Sequence, residues 1–142
     1  MPISRRTALS LAVALLATTA QAQGWPAKPT RLIVPFPAGG GTDLIARDLA
    51  NKLSTQGYNF VVENKPGSGG GVGVDAVAKA QPDGYAFVMG QTSNLAINPS
   101  LYAKLPYEPT KDLTPIGLVA SSPLVIVTGA SSPYKTLAEV IQ

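Results

Sequence analysis

Two apolar, β-branched runs in this chain each end in a cluster of glycines, and each cluster opens into an amphipathic stretch. The first block is VPFPAGGGTDLIARDLA, Val34 to Ala50, and the second is NFVVENKPGSGGGVGVDAVAKA, Asn59 to Ala80. A third apolar run, YAFVMG, follows the turn QPDG. The order is strand, glycine loop, helix, strand, glycine loop, helix, strand. Short strands alternating with helices predict parallel strands joined by right-handed crossovers. Both glycine loops then leave the same carboxyl edge of one sheet, where ligands of open α/β sheets bind.

The spacing predicts strands over 31–36, 59–63 and 85–90. Pro35 interrupts the first near its end. A helix is expected over 42–56, with Ile45, Leu49 and Leu53 recurring every fourth residue beside Leu44 as its apolar stripe. Asp48 and Lys52 stand at i,i+4 on its other side, and Gly57 ends it. A second helix is expected over about 72–80, carrying an Asp75–Lys79 pair. Residues 91–117 mix Pro, Asn and Thr with isolated apolar positions, which predicts loop with one short helix; Asn98-Pro99 reads as a turn. The run LVASSPLVIVTGA gives two β-like segments, and Thr136 to Glu139 forms a capping box. That last helix has a start, an apolar face and no end signal. The expectation is an N-terminal portion of a longer protein.

Residues 1–22 have Arg5-Arg6, a short apolar run from Ala8 to about Ala17, and the A-x-A site Ala20-Gln21-Ala22. This is the layout of a secretory signal peptide, too short to span a membrane at ~20 residues. The arginine pair also fits a twin-arginine signal. Removing 1–22 takes away Arg5 and Arg6 and none of the eight acidic residues, so the net charge falls from +3 to +1. The charge then gives no argument for nucleic-acid binding. The chain has no cysteine and no histidine. Thiolate metal sites, cysteine nucleophiles and imidazole acid–base chemistry are therefore closed to it. No catalytic residue, metal site or cofactor is expected.

Why three glycines in a row, Gly39 to Gly41? Glycine permits positive φ and lets another group approach the backbone. The first N–H groups of a helix lack internal partners and sit at the positive end of its dipole, which suits an anion. For one loop, tight-turn geometry alone would explain the glycines. Two such loops on one edge favour an anion site. Dinucleotide binding fails on spacing: G-x-G-x-x-G from Gly39 would need a small residue at Leu44, and from Gly67 at Val72. No G-K-[ST] occurs either. Asp43 reads as a first-turn acid complementing the helix end and pointing away from a bound anion, with Asn an acceptable substitute. Thr42 could cap or meet the ligand. Thr92, Ser93 and Asn94 follow the third strand, as neutral donors or as turn residues. Trp25 reads as a packing residue.

Several segments taken together carry a family resemblance: VPFPAGGGTDLIARDLA, VVENKPGSGGGVGVDAVAKAQPDGYAF and LAINPSLYAKLPYEPTKDLTPIGLVASSPLVIV. In this order they resemble the substrate-binding receptors of tripartite tricarboxylate transporters, the Bug receptor family, over nearly all of residues 25–142. The resemblance implies an α/β fold of the periplasmic binding protein type II kind, with a parallel sheet, flanking helices and a ligand cleft between two domains. It implies a periplasmic receptor, monomeric when full length, that takes a small carboxylate and hands it to membrane transporter subunits, with no nucleic-acid partner. It assigns ligand contacts to Ala38, Gly39, Gly40, Gly41 and Thr42 in the first loop. Ser68, Gly69 and Gly70 take that role in the second, and Thr92, Ser93 and Asn94 in the third. Receptors of this kind are about twice as long, so the second domain is expected to be largely absent. The expected division is 1–22 signal peptide, 23–121 first ligand-binding domain, and 122–142 crossover and start of the second domain. A second reading is an exported α/β enzyme using the same loops as an oxyanion or phosphate site.

Overall fold

The computed structural model describes residues 24–141. The expected signal peptide lies outside the described residues. Three strands form one parallel sheet: β1 (Thr30–Val34), β2 (Phe60–Asn64) and β3 (Ala86–Val88), in the order β2-β1-β3. Thr30 pairs with Phe60 and Val34 with Asn64 on one side of β1; Arg31 pairs with Ala86 and Ile33 with Val88 on the other. Between the strands run helices α1 (Gly41–Ser54) and α2 (Gly71–Ala78). The connection from β1 to β2 steps one way and that from β2 to β3 steps back across β1. Right-handed crossovers in opposite directions put α1 and α2 on opposite faces of the sheet.

Strand β1 stops two residues before its apolar run does. Pro35 has no N–H for the ladder, and the chain leaves the sheet there, with Val34 O accepting from Lys65 N at 2.8 Å. Helix α1 ends as the sequence implies: Gly57 has φ +88°, and Tyr58 N donates to Leu53 O at 3.1 Å. The Asp48–Lys52 and Asp75–Lys79 pairs both form, at 2.8 and 2.6 Å.

Alternation along the strands sorts the two faces. Leu32 and Val34, with Phe36, Phe60, Val62, Phe87 and Met89, pack around Ala46 of α1. The opposite face carries buried Ile33 and the Arg31–Glu63 ion pair at 2.6 Å. The inward face of α1 differs from the expected stripe. Ala46 and Ala50 are its buried apolar residues, whereas Leu44 is 60% exposed and Ile45 38%. Small alanines let the helix lie close on a sheet surface already filled by phenylalanines. Leu49 and Leu53 of the expected stripe are half-buried, and Leu44, Ile45 and Leu49 line a shallow cavity of about 510 Å³ with Val119 and Ala120.

Beyond β3 the chain is more helical than expected: a π-helical turn over Ser93–Ile97 continues into α3 (Asn98–Leu101), and α4 spans Pro109–Asp112. Asn98-Pro99 thus begins a helix, with proline at a position where its missing N–H costs nothing. The two β-like runs of LVASSPLVIV form no strand among the described residues. Leu118, Leu124, Val125, Ile126 and Val127 are exposed. The last helix, α5 (Leu137–Ile141), has the expected reciprocal cap: Glu139 accepts from Thr136 N at 3.2 Å, and Thr136 Oγ1 from Glu139 N at 3.3 Å. Among the described residues no helix is long and apolar enough to cross a membrane.

Candidate functional site

All three loops on the carboxyl edge touch one another. The first leaves β1 through Pro35 and turns at Gly39, whose φ of +82° favours glycine. Gly40 accepts the first helical bond, from Leu44 N at 3.0 Å, and no side chain caps α1. Among the described residues, no group accepts a hydrogen bond from Gly41, Thr42 or Asp43 N–H. A Cβ built on Gly41 would meet nothing within 4 Å. The start of α1 therefore presents N–H groups without partners among the described residues, with open space at the Cβ position of Gly41. Ala38, Gly39, Gly40 and Gly41 are exposed and Thr42 is half-buried.

Behind this open rim sits Asp43, only 2% exposed. Its Oδ2 accepts from Gly39 N and from Arg47 Nε, both at 2.9 Å, and its Oδ1 accepts from Asn64 Nδ2 at 2.9 Å. The Arg47 guanidinium, then the Gly39 N–H and the Asn64 amide, hold this carboxyl well below the usual carboxylate range, against the opposing effect of burial. The Asp43 carboxylate is thus taken up within the protein by Gly39, Arg47 and Asn64. It is not an ordinary cap, because its backbone partner is Gly39, outside the helix. Asn64, at the end of β2, also donates to Phe36 O at 3.1 Å and accepts from Arg47 Nη2 at 3.0 Å.

The second loop is built differently. Gly67, Ser68, Gly69 and Gly70 all have positive φ. Ser68 and Gly69 are exposed, but Gly70 is buried. A Cβ on Gly70 would lie 2.5 Å from Asn94 Nδ2, and one on Gly73 would lie 2.7 Å from Pro35 Cα. Gly69 O accepts from Asn98 Nδ2 at 3.2 Å. These glycines admit protein neighbours, where Gly41 faces open space.

The third loop joins the other two. Gln91 Nε2 donates to Thr42 Oγ1 of the first loop. Asn94 is fully buried; its Oδ1 accepts from Gln91 N at 2.9 Å, and its backbone O accepts from Tyr107 Oη at 2.7 Å. Thr92 is exposed on the rim and Ser93 half-buried. Asn94 Nδ2 and Ser93 Oγ have no partner among the described residues. Sequence reasoning did not single out Arg47, Asn64, Gln91, Asn98 or Tyr107. All five act as struts, and only the position of Asn64 at the carboxyl end of strand β2 could have flagged one. Trp25 packs at the opposite, amino edge, its ring 5.9 Å from that of Tyr58 and its Nε1 donating to Gly84 O at 3.1 Å. The rim is an open surface: no loop glycine lines the 510 Å³ cavity, nor another of about 560 Å³ between Pro99 and Asp112. No cluster able to hold a metal ion occurs among the described residues.

An open parallel sheet with free helix-start amides at its carboxyl edge defines an α/β binding-protein domain. Solved structures bear this out. The chain is similar to the periplasmic binding protein BugD, at 42% identity and a TM-score of 0.55, covering 62% of this chain and 29% of BugD. It is likewise similar to MatC from Rhodopseudomonas palustris with bound malate, at 36% identity and a TM-score of 0.62, covering 67% of this chain and 33% of MatC. Protein BugT of Bordetella pertussis is 41% identical over 133 residues, 92% of this chain and 41% of BugT. The model of the tripartite tricarboxylate transporter family receptor matches residues 45–142, and the chain belongs to that family. It spans about two fifths of the length of the curated relatives it matches.

Proposed function

We propose that this chain supplies one wall of a periplasmic solute receptor that takes a small carboxylate and delivers it to a tripartite tricarboxylate-type membrane transporter. The observation that carries the reading is the free N–H array at Gly41 and Thr42, facing open space on the rim shared with Thr92. A carboxylate oxygen there would receive charge-assisted hydrogen bonds at the positive end of α1. The ligand bound by the related MatC is a dicarboxylate, which fits. Ala38, Gly39, Gly40, Gly41 and Thr42 with Ser68, Gly69 and Thr92 form the exposed contact surface. Gly70, Ser93 and Asn94 shape it from beneath. Residues 23–121 form the first ligand-binding domain and 122–142 the crossover toward a second, which would close over the rim. The enzyme reading lacks support at this site: Asp43, the acid in the first turn of α1, is buried and committed to three donors.

Calorimetric titration with malate, with a neutral polyol of similar size as control, tests the proposal. Saturable heat with malate and none with the polyol is expected. Equal response to both, or turnover of malate on prolonged incubation, would overturn it.

A further inference from the structure

The receptor reading leaves one cluster without a role. Asp43, Arg47 and Asn64 come from α1 and from the end of β2, and beyond one another their partners are Gly39 and Phe36 of the first loop. Asp43 ties Gly39 N, Arg47 and Asn64 together; Asn64 ties Phe36 O and Arg47. The first loop is thus gripped at two points, Phe36 and Gly39, that bracket its turn. Among the described residues, the turn is held otherwise only by its own Gly40 N to Pro37 O, a long bond at 3.4 Å, and at its helix end by Gln91 Nε2 donating to Thr42 Oγ1. A loop of exposed glycines has many conformations to lose, so its shape must be imposed from outside. Asp43 and Asn64 also differ in chemistry at their shared contact, where one oxygen meets one NH₂ donor. The contact between them therefore needs one donor facing one acceptor.

We infer that Asp43 and Asn64, with Arg47 between them, are positioning residues that set the shape of the Gly39–Gly41 loop and so aim the free N–H groups of Gly41 and Thr42 at the bound carboxylate. This rests on the receptor reading for its binding arm. Arg47 adds a second effect: it neutralises Asp43, so an incoming anion does not face a bare negative charge behind the loop.

The test exchanges the two partners. Asp43→Asn sets an NH₂ group against the Asn64 amide or against Arg47. Asn64→Asp sets two carboxylates face to face. Each single variant should speed amide hydrogen exchange over residues 37–42 while β1 and the body of α1 stay protected. Each should weaken malate binding about tenfold, the loss of roughly one hydrogen bond to a charged group. The double variant, Asp43→Asn with Asn64→Asp, restores one donor facing one acceptor and keeps one negative charge beside Arg47. It leaves Phe36 O without its donor, so it should recover part, not all, of the loop protection and of the affinity lost in the singles. Singles that leave exchange over 37–42 unchanged would overturn the inference. So would singles that speed exchange yet bind malate normally, and so would a double variant no better than the worse single. If the unmutated protein binds no malate, the receptor reading fails, and the exchange data alone still decide whether the cluster holds the loop.

Discussion

The two glycine loops look alike in sequence and differ in what their glycines admit. In the first, a Cβ on Gly41 would project into empty space. In the second, a Cβ on Gly70 would collide with Asn94, and one on Gly73, in the first turn of α2 that the loop opens into, with Pro35 and Lys65 O. One loop is open in front and braced from behind by side chains. The other is closed, pressed onto the first loop and the third. Glycine at a strand–helix junction thus answers two separate demands, room for a ligand and room for the protein itself. Only the neighbours tell them apart.

The sharpest way to break this contrast is to add a methyl group on the closed side. Gly73→Ala would place a Cβ 2.7 Å from Pro35 Cα and 2.9 Å from Lys65 O, where no flexible side chain can yield. Gly70→Ala would meet Asn94 and also hold alanine at φ +88°. A stability loss of about 2–4 kcal/mol is expected for each, from overpacking and, at Gly70, from the left-handed backbone as well. Urea unfolding checks this. A midpoint equal to that of the unmutated protein for both variants would mean that the second loop is not the packed element described.

On the open side the effect should move from folding to binding. Gly41 is the first residue of α1 and has no positive φ, so Gly41→Val should melt within a few degrees of the unmutated protein. Its branched side chain would occupy the space in front of the free amides. Malate affinity should fall roughly tenfold to a hundredfold, the cost of about one or two charge-assisted hydrogen bonds. Normal binding with lowered stability would reverse the assignment of the two loops.

How much of this difference was legible in the sequence? The alternation of strands and helices was, because each apolar run is short, β-branched and bounded by glycine or proline. The parallel order and the common edge followed from it. Which face of α1 is buried was not legible. Leu44, Ile45 and Leu49 form the stronger apolar stripe, yet Ala46 and Ala50 face the sheet, because Phe36, Phe60 and Phe87 from other segments already fill that space. The helical stretch after β3 was hidden for a similar reason. Asn94 and Asn98 are weak helix formers and owe their places to Tyr107 and Gly69, both distant in sequence. Within the site, Gly39–Gly41 could be singled out by type alone. The struts Arg47, Asn64 and Gln91 could not, since a surface-type polar residue carries no local sign of the partner it will meet. Asp43 shows the limit well: its type predicts a helix-end acid, for which Asn is nearly equivalent, whereas burial among three donors makes Asn a poor substitute.

The smallest expected effect lies where the open loop meets the third. Thr42 does not cap α1, and its Oγ1 accepts a hydrogen bond from Gln91 Nε2. Accepting leaves the hydroxyl proton free to donate, so the same atom can receive from Gln91 and give to a carboxylate on the rim. Thr42→Val keeps the shape and removes both capacities. Because the Gln91 contact is exposed, stability should change by less than about 0.5 kcal/mol. Affinity for malate should fall only a few-fold, in keeping with about 0.5–1.5 kcal/mol for a hydrogen bond. Thr42→Ser retains the hydroxyl and should bind like the unmutated protein, and Gln91→Ala separates the two contacts. If Gln91→Ala matches Thr42→Val, the bridge between loops is what matters. If it binds normally while Thr42→Val does not, the hydroxyl meets the ligand directly, and the open loop contributes a side-chain donor beside its backbone amides.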